Sequence, residues 1–203
     1  MEIINASYEI LDELDGKKIL SNITRYGRTC YKSNTVDDAE QNRRFIAARI
    51  KAGHESILEH EKITVKFICD RGISHELVRH RLASFSQEST RYCNYDDKGL
   101  VFIKPVFWDV NSRDYTEWKQ AMTAIEHIYR RYIHTGSTPE QARCILPNSL
   151  KTEVIMTANL REWRHILKLR TAHDAHPQMR EIMCPLLDEL KQKIPVIFDN
   201  ISY

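Results

Sequence analysis

Ile63-Thr64-Val65-Lys66-Phe67 alternates apolar and polar side chains, the period of two that marks a β-strand. What flanks it decides the fold class. Upstream, Thr35-Val36-Asp37-Asp38 reads as a helix start with Asp38 in the capping-box position; Phe45, Ile46, Arg49 and Ile50 continue a helical stripe that Gly53 stops. Downstream, Gly72 precedes Ser74, a cap for a helix through Leu77 and Val78. The clearest helix runs from about Asp114 to His134, with Trp118, Met122, Ile125, Tyr129 and Tyr132 on one face as core packing and Gly136 just past its end. Ser137-Thr138-Pro139-Glu140 opens another, with Pro139 in its first turn. Leu150 to Ala158 leans towards strand, and Asn159 caps a helix carrying Trp163, Ile166, Leu167 and Leu169. A last helix starts near Pro177 and shows Ile182, Leu186, Leu187 and Leu190, with a kink expected at Pro185. Helices outnumber strands and the two do not alternate regularly, which predicts an α+β fold over a doubly wound parallel sheet. No repeat, low-complexity tract or linker breaks the chain, so one domain over residues 1–203 is expected.

The composition narrows the function classes. At 42% hydrophobic and 29% charged residues the chain buries a sizeable core and stays soluble. A formal net charge of +2 gives no chain-wide field of the kind that coats nucleic acid, so any basic feature must be local. No apolar run reaches the roughly 20 residues that span a bilayer. Met1-Glu2-Ile3-Ile4-Asn5 carries acid where a secretory signal carries Lys or Arg, so a cytoplasmic protein without a membrane partner is expected.

Five cysteines, Cys30, Cys69, Cys93, Cys144 and Cys184, lie far apart and form no Cys-x-x-Cys, which suits small buried hydrophobes in a reducing compartment. The six glycines are also dispersed, at positions 16, 27, 53, 72, 99 and 136. Main-chain cradling of phosphate in a P-loop or dinucleotide fingerprint needs clustered glycine. A nucleotide bound here must be held by side chains.

Arg79-His80-Arg81-Leu82-Ala83-Ser84-Phe85-Ser86-Gln87-Glu88-Ser89-Thr90-Arg91 is the densest polar cluster. On a helix, Arg79, His80 and Arg81 would project about 100° apart and reach adjacent parts of an extended anionic ligand. Charge-assisted hydrogen bonds to such a ligand are each worth roughly 1.5–3 kcal/mol. The bland alternative is a solvated basic face. Ile73, Leu77, Val78, Leu82 and Phe85 interleave with the polar residues, which predicts a segment tethered to a core.

Arg79-His80-Arg81 followed seven residues later by Ser89 resembles the signature of the flavin-dependent thymidylate synthases, the ThyX family. His54-Glu55-Ser56-Ile57-Leu58-Glu59-His60, Ala142-Arg143-Cys144-Ile145-Leu146-Pro147, and Asn159-Leu160-Arg161 with Leu169-Arg170 resemble the family's other elements, in family order. The resemblance implies a single ThyX-type α+β domain with a mainly antiparallel sheet flanked by long helices. It implies reductive methylation of dUMP to dTMP, with FAD as cofactor and methylenetetrahydrofolate and NADPH as co-substrates. His54, Ser56, Arg79, His80, Arg81, Gln87, Asn159, Arg161 and His165 would lie against FAD. Glu76, Leu77, Val78, Arg79, Gln87, Glu88, Ser89, Thr90, Arg91, Arg143 and Arg170 would surround dUMP. Arg170 would be catalytic, as the cation stabilising charge at N3 of the ring. Ser89 would position substrate, since no partner base stands at fixed spacing from it. The family assembles its sites from several subunits of a homotetramer.

Two stretches depart from the family pattern. His75-Glu76-Leu77 stands where Arg-Gln-Trp is frequent, and Asp174-Ala175-His176 where His-Ala-Gln is frequent. Two rivals remain in view. A metal-dependent hydrolase would use His54, Glu59 and His60, or His173 and His176, although neither run forms His-Glu-x-x-His, and no metal is expected. A nucleic-acid-binding module would use the arginines between Arg79 and Tyr95 with Phe85, Tyr92 and Tyr95, but the near-neutral charge speaks against a nucleic-acid partner.

Overall fold

The computed structural model describes residues 1–30, 32–33, 38–96 and 99–203. Six strands and seven α-helices alternate irregularly along the described residues. They are β1 (Glu2–Ile4), β2 (Ser7–Ile10), α1 (Gly16–Thr29), α2 (Ala39–Lys51), β3 (Lys62–Asp70), α3 (Arg71–Leu77), β4 (Ala83–Gln87), β5 (Val101–Ile103), α4 (Arg113–His134), α5 (Pro139–Ala142), β6 (Lys151–Asn159), α6 (Leu160–Arg170) and α7 (Pro177–Lys193). Short 3-10 helices span Glu55–His60 and Arg143–Ile145. The α+β expectation holds. An antiparallel four-stranded sheet has the order β2-β3-β6-β4, while β1 and β5 form a separate parallel pair with Ile3 opposite Phe102.

The chain forms two compact units, one of Met1–Tyr8, Lys66–Arg79 and Phe85–Ile155, the other of Glu9–Val65, His80–Ser84 and Met156–Tyr203. In the first, α4 covers a core of Leu100, Phe102, Met122, Tyr129, Ala142 and Leu150, against which Trp118, Ile125 and Tyr132 pack. The helical stripe read from the sequence is therefore core. Trp118 meets its one polar need by donating from Nε1 to Ser149 Oγ at 3.1 Å.

The second unit is helical, and Ile23, Ile46, Leu58, Trp163, Ile166, Leu186, Leu187 and Leu190 are nearly solvent-free. Trp163 Nε1 donates to the Ile63 carbonyl at 2.9 Å. Gly16 opens α1 where it meets the end of α7: a Cβ there would lie 2.1 Å from the Lys193 carbonyl oxygen, so only glycine allows the approach. The last helix runs from Pro177 to Lys193 with Pro185 inside it.

Several local readings change. Asp38 is the N-cap of α2 itself, accepting from the Gln41 N–H at 2.7 Å, rather than a capping-box residue within the helix; Thr35, Val36 and Asp37 lie outside the described residues. α3 begins at Arg71, because Asp70 caps it by accepting from the Ile73 N–H at 2.9 Å. Ser74, expected as that cap, instead donates its hydroxyl to the Arg71 carbonyl. Arg79, His80 and Arg81 are not on a helix: α3 stops at Leu77, and these residues turn the chain into β4. Leu77 and Ile73 are buried as expected, but Val78 and Leu82 are 37% and 74% exposed, so the tether to the core is shorter than the apolar pattern suggested.

Candidate functional site

Polar side chains gather at separate places within each unit. In the first unit, a cavity of about 480 Å³ is lined by Arg71, His75, Thr90, Glu140, Arg143, Cys144, Leu146, Pro147 and Asn148. The Asp70 cap starts α3 where its first and last turns place Arg71 and His75 at i, i+4, one above the other. Arg143 comes from the other wall, where the capping box of Thr138 and Gln141 starts α5 and the chain tightens into the 3-10 turn. Arg143 Nη1 donates to Thr90 Oγ1 at 3.4 Å, and Arg91 Nε lies 3.1 Å from Glu140 Oε1. Arg71 Nη1 is buried and meets no acceptor among the described residues. A buried guanidinium donor without a partner is costly.

Beside β6, a second cavity of about 700 Å³ has Ser86, Gln87, Glu88, Tyr95, Lys151, Glu153 and Ile155 among its lining. Here β6 alternates: Thr152 and Val154 are buried, while Lys151, Glu153 and Ile155 face the other way. Lys151 Nζ donates to Glu88 Oε2 at 3.0 Å and to Glu153 Oε1 at 2.7 Å; Lys66 pairs with Glu153 at 2.7 Å. Hydrogen bonds from Lys151 and Lys66 hold the Glu153 carboxyl below its ordinary range. Burial pulls the Lys151 ammonium down, but its bonds to Glu153 and Glu88 outweigh that and leave it raised. Burial, then the bond that Tyr95 donates to Glu88 at 2.8 Å, raises the Tyr95 phenol. The Gln87 amide donates to Ser74 Oγ at 2.9 Å.

In the second unit, a cavity of about 600 Å³ is lined by Glu55, Glu59, Leu82, Asn159, Arg161, Glu162, Arg164, His165 and Lys168. A smaller one of about 350 Å³ adds Lys62, Arg81, Ala83, Ser84, Thr157 and Ala158 to the shared Leu82 and Asn159. Asn159 ends β6 and caps α6, accepting from the Glu162 N–H at 2.9 Å. Arg161 Nη1 pairs with Glu59 Oε1 at 2.5 Å. Arg164, 1% exposed, is tied to Glu55 at 3.0 Å, to Asn200 and to the Ile197 carbonyl, which makes it a fastener for the C-terminal segment.

His80 is only 5% exposed. Arg170 Nε contacts its Nε2 at 3.0 Å, Glu162 Oε1 lies 3.7 Å from its Nδ1, and the His165 ring stands edge-on at 5.9 Å. Burial, then the Arg170 and His165 charges, lowers the His80 pKa to about 4, so the imidazole is neutral at physiological pH.

The second unit thus brings His54, Ser56, His80, Arg81, Asn159, Arg161, His165 and Arg170 into its own fold. The first holds Glu76, Leu77, Val78, Arg79, Gln87, Glu88, Ser89, Thr90, Arg91 and Arg143. Of these, Thr90 and Arg143 line the Arg71 cavity, while Gln87 and Glu88 line the one beside β6. Arg79, Arg81 and Arg91 are exposed, as are His54, Ser56 and His165; Leu77 is buried and offers a ligand only main-chain atoms. Sequence reasoning missed Arg71, His75 and Glu162. The i, i+4 pair of Arg71 and His75 was readable once Asp70 is taken as the cap; Glu162 had no local signal. Among the described residues, His80, Glu162 and His165 form a set of three metal-capable donors within 4.8 Å, and the histidine pairs noted in the sequence do not belong to it. Among the same residues, no helix is long and apolar enough to cross a membrane.

A family model described as "Thymidylate synthase complementing protein" matches residues 10–196. The flavin-dependent thymidylate synthase of Pyrococcus furiosus is 31% identical over 194 residues, 94% of this chain and 78% of that protein. That of Geobacter sulfurreducens is 33% identical over 178 residues, 84% and 77% of the two chains. That of Thermococcus kodakarensis is 40% identical over 141 residues, covering 68% of this chain and 58% of that one. The fold agrees with the crystal structure of a UMP/dUMP methylase, PolB from Streptomyces cacaoi, bound with 5-Br dUMP: TM-score 0.80 at 23% identity, covering 98% and 96% of the two chains. Neither the hydrolase nor the nucleic-acid reading finds support among these relatives. With a match that runs through nearly the whole chain and relatives above 30% identity on most of it, this chain is an enzyme of the flavin-dependent thymidylate synthase family.

Proposed function

We propose that residues 1–203 act as one catalytic domain of a homotetramer that methylates dUMP to dTMP, with methylenetetrahydrofolate as one-carbon donor and NADPH as reductant through FAD. The observation that carries the reading is the cavity of Arg71, His75, Thr90 and Arg143, together with an Arg71 nitrogen that has no acceptor among the described residues. A nucleoside monophosphate supplies that acceptor and matches the charge. The PolB structure bound with 5-Br dUMP adds a pyrimidine nucleotide on the same fold.

The chemistry of the second unit's donor set fits a flavin. Arg81, His165 and Lys168 are exposed on it, near Arg161 and the capped start of α6, and dispersed glycine leaves phosphate recognition to such side chains. In this reading Arg81, Asn159, Arg161 and His165 hold FAD, with His54 and Ser56 beside them. When bound, the flavin supplies hydride chemistry that no amino-acid side chain performs. The chain's own contribution is position and field. Arg71 and Arg143 fix the nucleotide phosphate, Ser89 and Gln87 orient the nucleotide, and the Arg170 guanidinium stabilises negative charge at N3 of the uracil as carbon five becomes nucleophilic.

An absorbance scan of the purified protein, followed by NADPH under anaerobic conditions, tests the flavin; dTMP formation from dUMP and methylenetetrahydrofolate tests the reaction. Oxidised-flavin bands that bleach with NADPH, with dTMP as product, are expected. A colourless protein that takes up no added FAD ends the reading.

A further inference from the structure

Arginine carries five N–H donors and no acceptor. The 3.0 Å contact between Arg170 Nε and His80 Nε2 therefore has one chemical reading: the guanidinium donates and the imidazole nitrogen accepts. Nε2 carries no proton, and a buried neutral ring must then hold its single proton on Nδ1. That proton faces the Glu162 carboxylate, 3.7 Å away and itself buried. The separation exceeds a hydrogen bond, so the attraction is that of a carboxylate for an N–H dipole, at a place where water does not dilute it. Asn159 fixes Glu162 in turn, through the cap on its main-chain N–H. Glu162, His165 and Arg170 all belong to α6, so one helix supplies the groups recorded around the ring.

We infer that His80 is a positioning residue, held by Glu162 in the Nδ1–H tautomer so that its Nε2 lone pair aims the Arg170 guanidinium. The opposite tautomer would set an N–H against the Nε–H of Arg170, two donors facing each other, and the guanidinium would turn away. This deepens the role proposed for Arg170 at the uracil ring and rests on that reading. It gives His80 a function other than touching a ligand, in keeping with its burial.

The holoenzyme carrying ring-15N histidine tests the relay without substrate, with His80 assigned by the loss of its signals in His80→Asn. Expected are a pyridine-type Nε2 and a pyrrole-type Nδ1 at neutral pH. An imidazolium signal, the reversed tautomer, or a stoichiometric metal ion on Nδ1 overturns the inference. In turnover, Glu162→Leu is expected to lower kcat on the order of 100-fold, the cost of misplacing a catalytic group by about an ångström. Flavin content and the KM for dUMP should stay near wild type. Glu162→Gln keeps an oxygen dipole facing Nδ1–H without the charge and should recover part of the loss. Equal turnover in Glu162→Leu and wild type, or a parallel loss of flavin and turnover that Glu162→Gln does not recover, also overturns it. Should Arg170→Ala leave turnover intact while the tautomer is as stated, the functional reading of Arg170 fails and the relay stands.

Discussion

Two groups of guanidiniums, one in each unit, are held in opposite ways. In the second, Arg161 leans on Glu59, Arg164 on Glu55, and Arg170 on a neutral histidine. Beside the cavity of the first unit, Arg143 has a threonine hydroxyl for company and Arg71 Nη1 has no acceptor among the described residues. A guanidinium already bonded within the protein is aimed, and brings preorganised field to whatever charge develops near it. One left facing a cavity has its interaction still to make, and gives that free energy to a ligand. A waiting guanidinium suits the binding of an anion, and an aimed one the stabilisation of charge as it develops.

The largest effect should come from the aimed group. Arg170→Ala is expected to lower kcat by about 100- to 1,000-fold, the range for removing one preorganised donor from a developing anion, with bound FAD and dUMP affinity little changed. Flavin absorbance and steady-state kinetics check this. If flavin content falls by the same factor as kcat, Arg170 holds rather than acts and the contrast breaks.

Next comes the waiting group. Arg71→Ala removes a charge-assisted bond worth about 1.5–3 kcal/mol, so the dissociation constant for dUMP should rise roughly 10- to 100-fold. Arg143→Ala, whose guanidinium lies on the open wall, should cost less. Calorimetric titration with dUMP and with deoxyuridine separates the phosphate: the nucleoside should bind wild type and Arg71→Ala alike. A loss that appears equally for deoxyuridine would remove the phosphate from this cavity. A smaller effect belongs to the exposed pair in the second unit. The Arg161 and Glu59 side chains are 52% and 45% exposed, and such pairs contribute at most about 1 kcal/mol. Glu59→Gln should therefore change FAD affinity by less than about fivefold, read by flavin fluorescence; a larger change would mean that Glu59 touches the cofactor.

How much of this was legible depended on how local each signal is. The strand at Ile63–Phe67, the helix from Asp114 to His134 and the Asn159 cap were readable because side-chain period and capping chemistry act within one turn or one strand. β4 was not, since Ala83-Ser84-Phe85-Ser86-Gln87 is short, polar and adjacent to charges that looked helical. β1 and β5, three residues each, pair with one another across about 100 positions of sequence, a signal no local pattern carries. At the site, the Arg-His-Arg run stood out as composition. Its two unlike roles, an exposed Arg81 and a buried His80, come from α6, which packs Glu162 and Arg170 against the imidazole from far along the chain. Asp70 and Ser74 show the same limit at short range. Both are cap-forming residues, and which one caps is settled by where the preceding strand ends.

The smallest expected effect concerns the half-exposed network beside β6. Glu153 has its pKa lowered by the bonds from Lys151 and Lys66, so its folded value lies below that of the unfolded chain. The sign follows: the unfolded state binds the proton more readily, and the contribution to stability is full above the unfolded pKa of about 4.3. It is lost as pH falls through the lower folded value. Lys151 runs the other way, with a raised pKa whose contribution is present below the unfolded lysine value and lost only as pH rises through the folded one. Between these limits the network is pH-insensitive, unlike a site that depends on histidine protonation. Thermal melting followed from about pH 6 to pH 3 should show Glu153→Gln losing less stability on acidification than wild type, by a few degrees at most because solvent screens a side chain that is 37% exposed. Equal acid slopes in the two proteins would mean that the lysines turn to solvent instead of to Glu153.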